Sequence, residues 1–178
     1  GQGLACSTCW YCRMGQYRQC QNKAQAEGGG FAEYIKRKAI GCYEISESMT
    51  WDEGALVEPL AVSIHGIRRG MMNGGETVAI LGAGTIGLTA VVAAKQLGAG
   101  KIFVTARHEQ QAAMALSLGA DYTCSPEGEE FENLVRSHTN GRGADLAVET
   151  VGGKSNRTLI QSVESTRMQG RIVILGGF

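Results

Sequence analysis

The chain has 178 residues, its 17 Lys plus Arg are balanced by 17 Asp plus Glu, and 43% of its residues are hydrophobic. That length holds one large domain or two small ones and allows a real core. Ordinary apolar content with low charge excludes intrinsic disorder, and a zero net charge argues against a general nucleic-acid binder, which needs a positive field for phosphates.

Twenty-six glycines against two prolines predict many tight turns and close backbone contacts. No signal peptide is read at Gly1, Gln2 and Gly3, and the lack of Met there implies a start that was removed or lies upstream. A cytoplasmic location is the expectation.

Residues 1–27 are rich in Cys, Gln and Arg and poor in aliphatics, so something other than an apolar core must fix them. Cys6, Cys9, Cys12 and Cys20 follow the pattern C-x2-C-x2-C-x7-C. Four thiolates at this spacing can close a tetrahedral shell around Zn²⁺, with Zn–S of about 2.3 Å, and a filled shell leaves no position for substrate. The preferred reading is therefore a structural zinc site. Disulfides, a cubane iron–sulfur cluster and a nucleic-acid-binding zinc ribbon are the competing uses of the same residues. Cys42 and Cys124 stand alone and read as buried thiols.

Gly28-Gly29-Gly30 marks a turn, and Phe31 to Ile45 holds short β-like pieces. Thr50 with Glu53 forms a capping box for a helix reaching Arg69, with a break expected near Glu58, before Pro59, and a restart at Leu60. From Glu76 the pattern alternates: strands at 77–81, 102–106, 121–124, 145–149 and 171–175, and helices at 86–97, 109–118, 129–138 and 155–164. Apolar runs such as Val78–Leu81 and Ile172–Leu175 suit strands covered on both faces, so the fold class is α/β with a doubly wound parallel sheet. Thr77 to Ala94 carries no charge, but Gly82, Gly84 and Gly87 split it, and a membrane span is rejected.

Gly82-Ala83-Gly84-Thr85-Ile86-Gly87 is G-x-G-x-x-G between a strand and a helix, the context in which this pattern binds a dinucleotide. Gly82 permits the tight turn, Gly84 lets the pyrophosphate approach the backbone, and Gly87 lets the helix pack on the strand. The N–H groups at the start of that helix, from Thr85 and Ile86 onward, favour phosphate. An acidic residue at the end of the second strand would select NAD through the ribose 2′-hydroxyl. Here Thr105 and Ala106 are followed by Arg107, which can pair with a 2′-phosphate, so NADP(H) is favoured over NAD(H). Glu109 keeps NAD open if the loop bends differently.

The cysteine spacing, then Gly29 to Tyr34, Glu58-Pro59-Leu60-Ala61-Val62 and Gly82 to Gly87, resemble zinc-dependent medium-chain dehydrogenases in that order. Gly54 to Gly70 is most similar to the sorbitol (polyol) dehydrogenase branch. The resemblance implies part of a GroES-like β domain with a structural zinc lobe over residues 1–60, and a Rossmann domain over 61–178. By the same resemblance Cys6, Cys9, Cys12 and Cys20 are the structural zinc ligands, and Glu58 is the carboxylate beside a catalytic zinc, a position where it would ligate the metal or hold its water. Its plainer reading is a helix-start glutamate. Thr150 and Gly152 end the fourth strand, and Leu175 and Gly176 end the fifth. Relatives use these strand ends near the nicotinamide.

The family chain is about twice as long, and its other catalytic zinc ligands precede the zinc lobe. None of His65, His108 and His138 has their Gly-His-Glu context. The expected function is hydride transfer between NADP(H) and a secondary alcohol or ketone, a polyol and its ketose being the substrate pair. This middle segment is expected to be inactive alone. The alternatives are a non-catalytic dinucleotide-binding module and an iron–sulfur protein. Full-length relatives are homo-oligomeric, and an exposed fifth strand is expected to be sticky.

Overall fold

A computed structural model describes residues 4–25 and 29–178. Gly1 to Gly3, and Gly28 of the expected glycine turn, lie outside the described residues. The chain divides into two compact units, Gly1–Thr50 and Trp51–Phe178.

Among its described residues the first unit holds one short helix, α1 (Trp10–Arg13), and two 3₁₀ turns, Tyr17–Gln19 and Ala39–Gly41. The short β pieces expected within 31–45 do not form. A strand needs a paired neighbour and a buried face to set its register. Here Phe31 and Tyr34 are both exposed, so nothing selects a face. Cys42 is likewise exposed rather than buried; it follows the 3₁₀ turn, and its thiol donates to the Lys38 carbonyl at 3.6 Å.

The second unit runs α2 (Trp51–Arg69), β1 (Thr77–Leu81), α3 (Thr85–Gln96), β2 (Lys101–Thr105), α4 (Glu109–Ser117), β3 (Tyr122–Cys124), α5 (Glu130–Ser137), β4 (Ala144–Glu149), α6 (Arg157–Ser165) and β5 (Thr166–Ile174). All five strands are parallel, in the order β3-β2-β1-β4-β5. The chain moves outward from β1 to β3 and then crosses back to β4. The order therefore reverses between β1 and β4, where a doubly wound sheet opens a crevice at its carboxyl end.

Alternation along the strands fills both faces. Val78 and Ile80 join Ile102, Val104, Leu146 and Val148 on the side of α2 and α3, while Ala79 and Leu81 join Phe103, Ala147, Phe131 and Val135 on the side of α5. Cys124, ending β3, is half-buried, and burial with Glu130 and Glu132 nearby pushes its thiol up to about 12.

Two elements differ from the sequence reading. Helix α2 does not break at Pro59; it is continuous from Trp51 to Arg69. An internal proline costs roughly 3 kcal/mol, and the buried face beyond it offsets that cost. Ser63 and Ile67 are fully buried, and the Ser63 hydroxyl donates to the Ile86 carbonyl at 3.1 Å, locking α2 onto α3. Strand β5 begins at Thr166, five residues before the expected 171. A register irregularity between Ala144 and Leu146 absorbs the extra length. β5 is an edge strand, and Met168, Ile172 and Ile174 on it are exposed. Among the described residues no helix is long and apolar enough to cross a membrane.

Two carboxylates brace the amino ends of the strands. Asp145 accepts the Thr77 N–H at 2.8 Å and the Arg167 Nε–H at 2.6 Å; Glu76 accepts the Asn73 N–H at 3.0 Å and pairs with Arg171 at 2.5 Å. Partial burial raises both carboxyls, but these donors and charges outweigh it and leave both below the ordinary carboxylate range. A depressed folded-state pKa gives stability that is complete above the unfolded value, about 4, and is lost as pH falls through the folded value. Urea unfolding should therefore give a constant stability above about pH 5 and a decline below about pH 4. Asp145→Asn should lose about 1 kcal/mol at neutral pH and show a shallower acid decline.

Candidate functional sites

In the first unit the cysteines converge. Cys9 precedes α1, Cys12 lies within it, and Cys20 follows the 3₁₀ turn Tyr17–Gln19. Between the first two cysteines, Ser7 takes a left-handed conformation with φ 62°. The four sulfurs lie within 4.8 Å of one another, and Cys6 Sγ and Cys12 Sγ are 3.9 Å apart. A tetrahedron with Zn–S bonds of about 2.3 Å has sulfur–sulfur edges of about 3.8 Å, so the set fits one ion. A cubane would instead spread the thiolates over separate irons.

The backbone supports the same arrangement. The Cys9 N–H donates to Cys6 Sγ at 3.3 Å, and the Cys6 N–H donates to Cys20 Sγ at 3.2 Å. The Thr8 hydroxyl, with backbone N–H groups, lowers the Cys6 thiol to about 5. Backbone N–H groups of Gln21 and Cys12 donating to its sulfur lower Cys9, whereas burial holds Cys12 up at about 12. A tetrahedral shell of four sulfurs leaves no open position for water or substrate.

In the second unit the glycine turn lies at the switch point. Gly82 has φ 102°, and a Cβ on it would meet Val151 Cγ2 at 2.7 Å and Thr150 Oγ1 at 2.9 Å. A Cβ on Gly87 would lie 2.0 Å from the Gly82 carbonyl oxygen, so only glycine lets α3 start this close to β1. Gly84 is the N-cap of α3 and has no side-chain cap; a Cβ there would project into open space. A helix start with free N–H groups and room above it is a place for an anion. The Gly82 N–H donates to Thr105 Oγ1 at 2.8 Å, and the Thr150 hydroxyl donates to the Leu81 carbonyl at 2.7 Å, which fixes the turn to the ends of β2 and β4.

Above this turn is a cleft of about 320 Å³. Of the residues named from sequence, Gly82, Gly84, Arg107 and Thr150 line it. Thr85, Ile86 and Gly87 form the first turn of α3, and Ala106 is buried directly after β2. Gly152 and Gly176 pack together past the ends of β4 and β5, Leu175 lies against Gly66 of α2, and none of the three lines the cleft. Glu58 is exposed on α2 and does not line the cleft.

Sequence reasoning missed two parts of this region. The first is the wall formed by Glu127, Arg157, Thr158 and Gln161, which comes from a loop and a helix start with no motif. The second is Glu149, the last residue of β4 and fully buried. Its Oε1 accepts the Val151 and Gly152 N–H groups at 2.9 and 3.0 Å, and its carbonyl accepts those of Leu175 and Gly176 at 2.8 and 3.2 Å. One residue thus ties the ends of two strands, its side chain holding the turn after β4 and its backbone carbonyl the end of β5. A glutamate closing an apolar strand run was the available signal.

Residues 85–178, more than half of the chain, match the family model described as zinc-binding dehydrogenase. The chain is 34% identical to sorbitol dehydrogenase of Bacillus subtilis (strain 168), covering 98% of this chain and 50% of that protein. It is 29% identical to sorbitol dehydrogenase of Homo sapiens, covering 93% and 48%. A Sinorhizobium meliloti 1021 structure described as a zinc-binding dehydrogenase bound to NADP superposes with a TM-score of 0.87 at 32% identity, covering 98% of this chain and 52% of that one. The chain spans about half the length of the curated relatives it matches. Replacement of one buried ligand, Cys12→Ser, should lower zinc affinity at least about tenfold, measured by competition with a chromophoric chelator.

Proposed function

Because this chain belongs to the zinc-binding dehydrogenase family, we propose that it supplies the structural-zinc lobe and the NADP(H)-binding unit of an oxidoreductase. The substrate pair is a secondary alcohol and its ketone, with a polyol and its ketose the favoured class. The observation that carries this reading is the glycine turn at the switch point: an uncapped helix start with open space over Gly84, beside a cleft that Arg107 also lines. The functional boundary near residue 60, within α2, belongs to the same proposal.

When bound, the dinucleotide supplies the redox chemistry through its nicotinamide. The chain's own residues bind and orient it. N–H groups of the first turn of α3 hold the pyrophosphate, with the helix dipole adding partial positive charge. Arg107 pairs with the 2′-phosphate, and no carboxylate stands at the end of β2 to repel it. Thr150 and the brace at Glu149 hold the strand ends against which the nicotinamide half lies. The four converging cysteines would hold a structural zinc ion.

A catalytic metal is a different matter. Among the described residues the cysteine set is the one group of three or more His, Cys, Asp or Glu whose ligand atoms converge. Glu58 belongs to no such group, so no step is derived through a second metal. That same observation favours the second reading, a dinucleotide-binding module without turnover. Oxidation of a polyol by this chain with NADP would exclude the module.

Fluorescence titration with NADPH and NADH should show tighter NADPH binding. Arg107→Asp should weaken NADPH at least about tenfold and leave NADH nearly unchanged. Equal affinities, or tighter NADH, would overturn the NADP(H) assignment and leave the glycine-turn site standing.

A further inference from the structure

The cleft wall contributed by α6 carries a charged pair that the glycine motif does not explain. Arg157, the first residue of α6, lines the same cleft as Arg107. Its Nη1 donates to Glu127 Oε2 at 2.9 Å and its Nη2 to the Pro126 carbonyl at 2.7 Å. Pro126 and Glu127 follow β3 and also line the cleft. Arg157 therefore bridges the start of α6 and the segment after β3 across the cavity wall.

Stability does not account for this bridge. The two side chains are 48% and 71% exposed, and solvent-screened ion pairs contribute little. The neighbouring positions on the same wall are short of partners: Thr158 Oγ1 and Gln161 Oε1 are buried without a hydrogen bond, although both residues line the cleft. Buried polar groups are ordinarily paired. Two arginines from separate elements, one carboxylate and two unpartnered polar side chains thus share one cavity.

We propose that Arg157 is the second arginine of the subsite for the phosphate on the adenosine half of the cofactor, and that Glu127 is the counter-ion exchanged for that phosphate. The proposal rests on the NADP(H) reading above. A phosphate monoester carries about −1.5 to −2 at neutral pH and three acceptor oxygens. It matches the fork of a guanidinium better than one oxygen of an exposed carboxylate does. Glu127 orients Arg157 in the free protein and opposes the incoming anion. Its removal therefore favours the ligand, whereas loss of Arg157 disfavours it.

The test is calorimetric titration of this chain with 2′,5′-ADP and with 5′-AMP, the adenosine half with and without the 2′-phosphate. Wild type, Arg107→Gln, Arg157→Gln and Glu127→Gln are compared, each checked for native circular dichroism. Arg157→Gln should weaken 2′,5′-ADP about tenfold and leave 5′-AMP within about twofold; Glu127→Gln should tighten 2′,5′-ADP severalfold with little effect on 5′-AMP. Equal weakening of both ligands by Arg157→Gln, or no change in either, overturns the assignment of Arg157. If wild type prefers 2′,5′-ADP and Arg107→Gln loses that preference, the NADP(H) reading survives that failure. If wild type does not prefer 2′,5′-ADP, the NADP(H) reading and this proposal fall together.

Discussion

The contact between Gly87 and the Gly82 carbonyl is the constraint on which the second unit depends. A single methyl group at Gly87 would lie 2.0 Å from that oxygen, a separation no packing tolerates. Because the contact closes, α3 begins directly behind β1, and its first N–H groups face the crevice without a side-chain cap. The same closeness brings the turn onto Thr105 and Thr150, so the ends of β2 and β4 take their positions from it. The uncapped helix start and the cleft above it both depend on two glycines five residues apart.

A second layer of bracing surrounds that contact. Glu149 ties the end of β4 to that of β5 from inside the protein, using one carboxylate oxygen and its own carbonyl. At the opposite end of the sheet Asp145 and Glu76 hold the starts of the strands through charged hydrogen bonds. Helix α2 adds a tie through Ser63 to the first turn of α3. The cleft is lined by the turns that follow β1, β2, β3 and β4 and by the starts of α4 and α6. The cysteine lobe follows a different principle: with little apolar surface of its own, it is organised by four converging sulfurs and the N–H groups directed at them.

Much of this was legible in the residues because it is local. The strand and helix spans from β1 to α6 follow from apolar periodicity, and the glycine spacing identifies the turn. What the sequence left hidden depends on contacts between distant segments. Pro59 reads as a break because a helix viewed alone loses a hydrogen bond there; the burial of Ser63 and Ile67 is invisible at that level. The early start of β5 depends on its register against β4. Phe31 to Ile45 has strand-like alternation, yet alternation needs a paired neighbour. Arg107 was found because it follows a strand end at a known offset. Arg157 and Glu127 were not, since only the crossing from β3 to α6 brings them to the same wall.

The central claim is that the start of α3 is a phosphate cradle. Its most direct test is a backbone amide NMR titration of this chain with NADPH, with adenosine as the phosphate-free control. The account predicts that the largest NADPH-induced shifts fall on the amides of residues 82–87 and that adenosine leaves those amides unmoved. Saturable NADPH binding that leaves residues 82–87 unperturbed would contradict it.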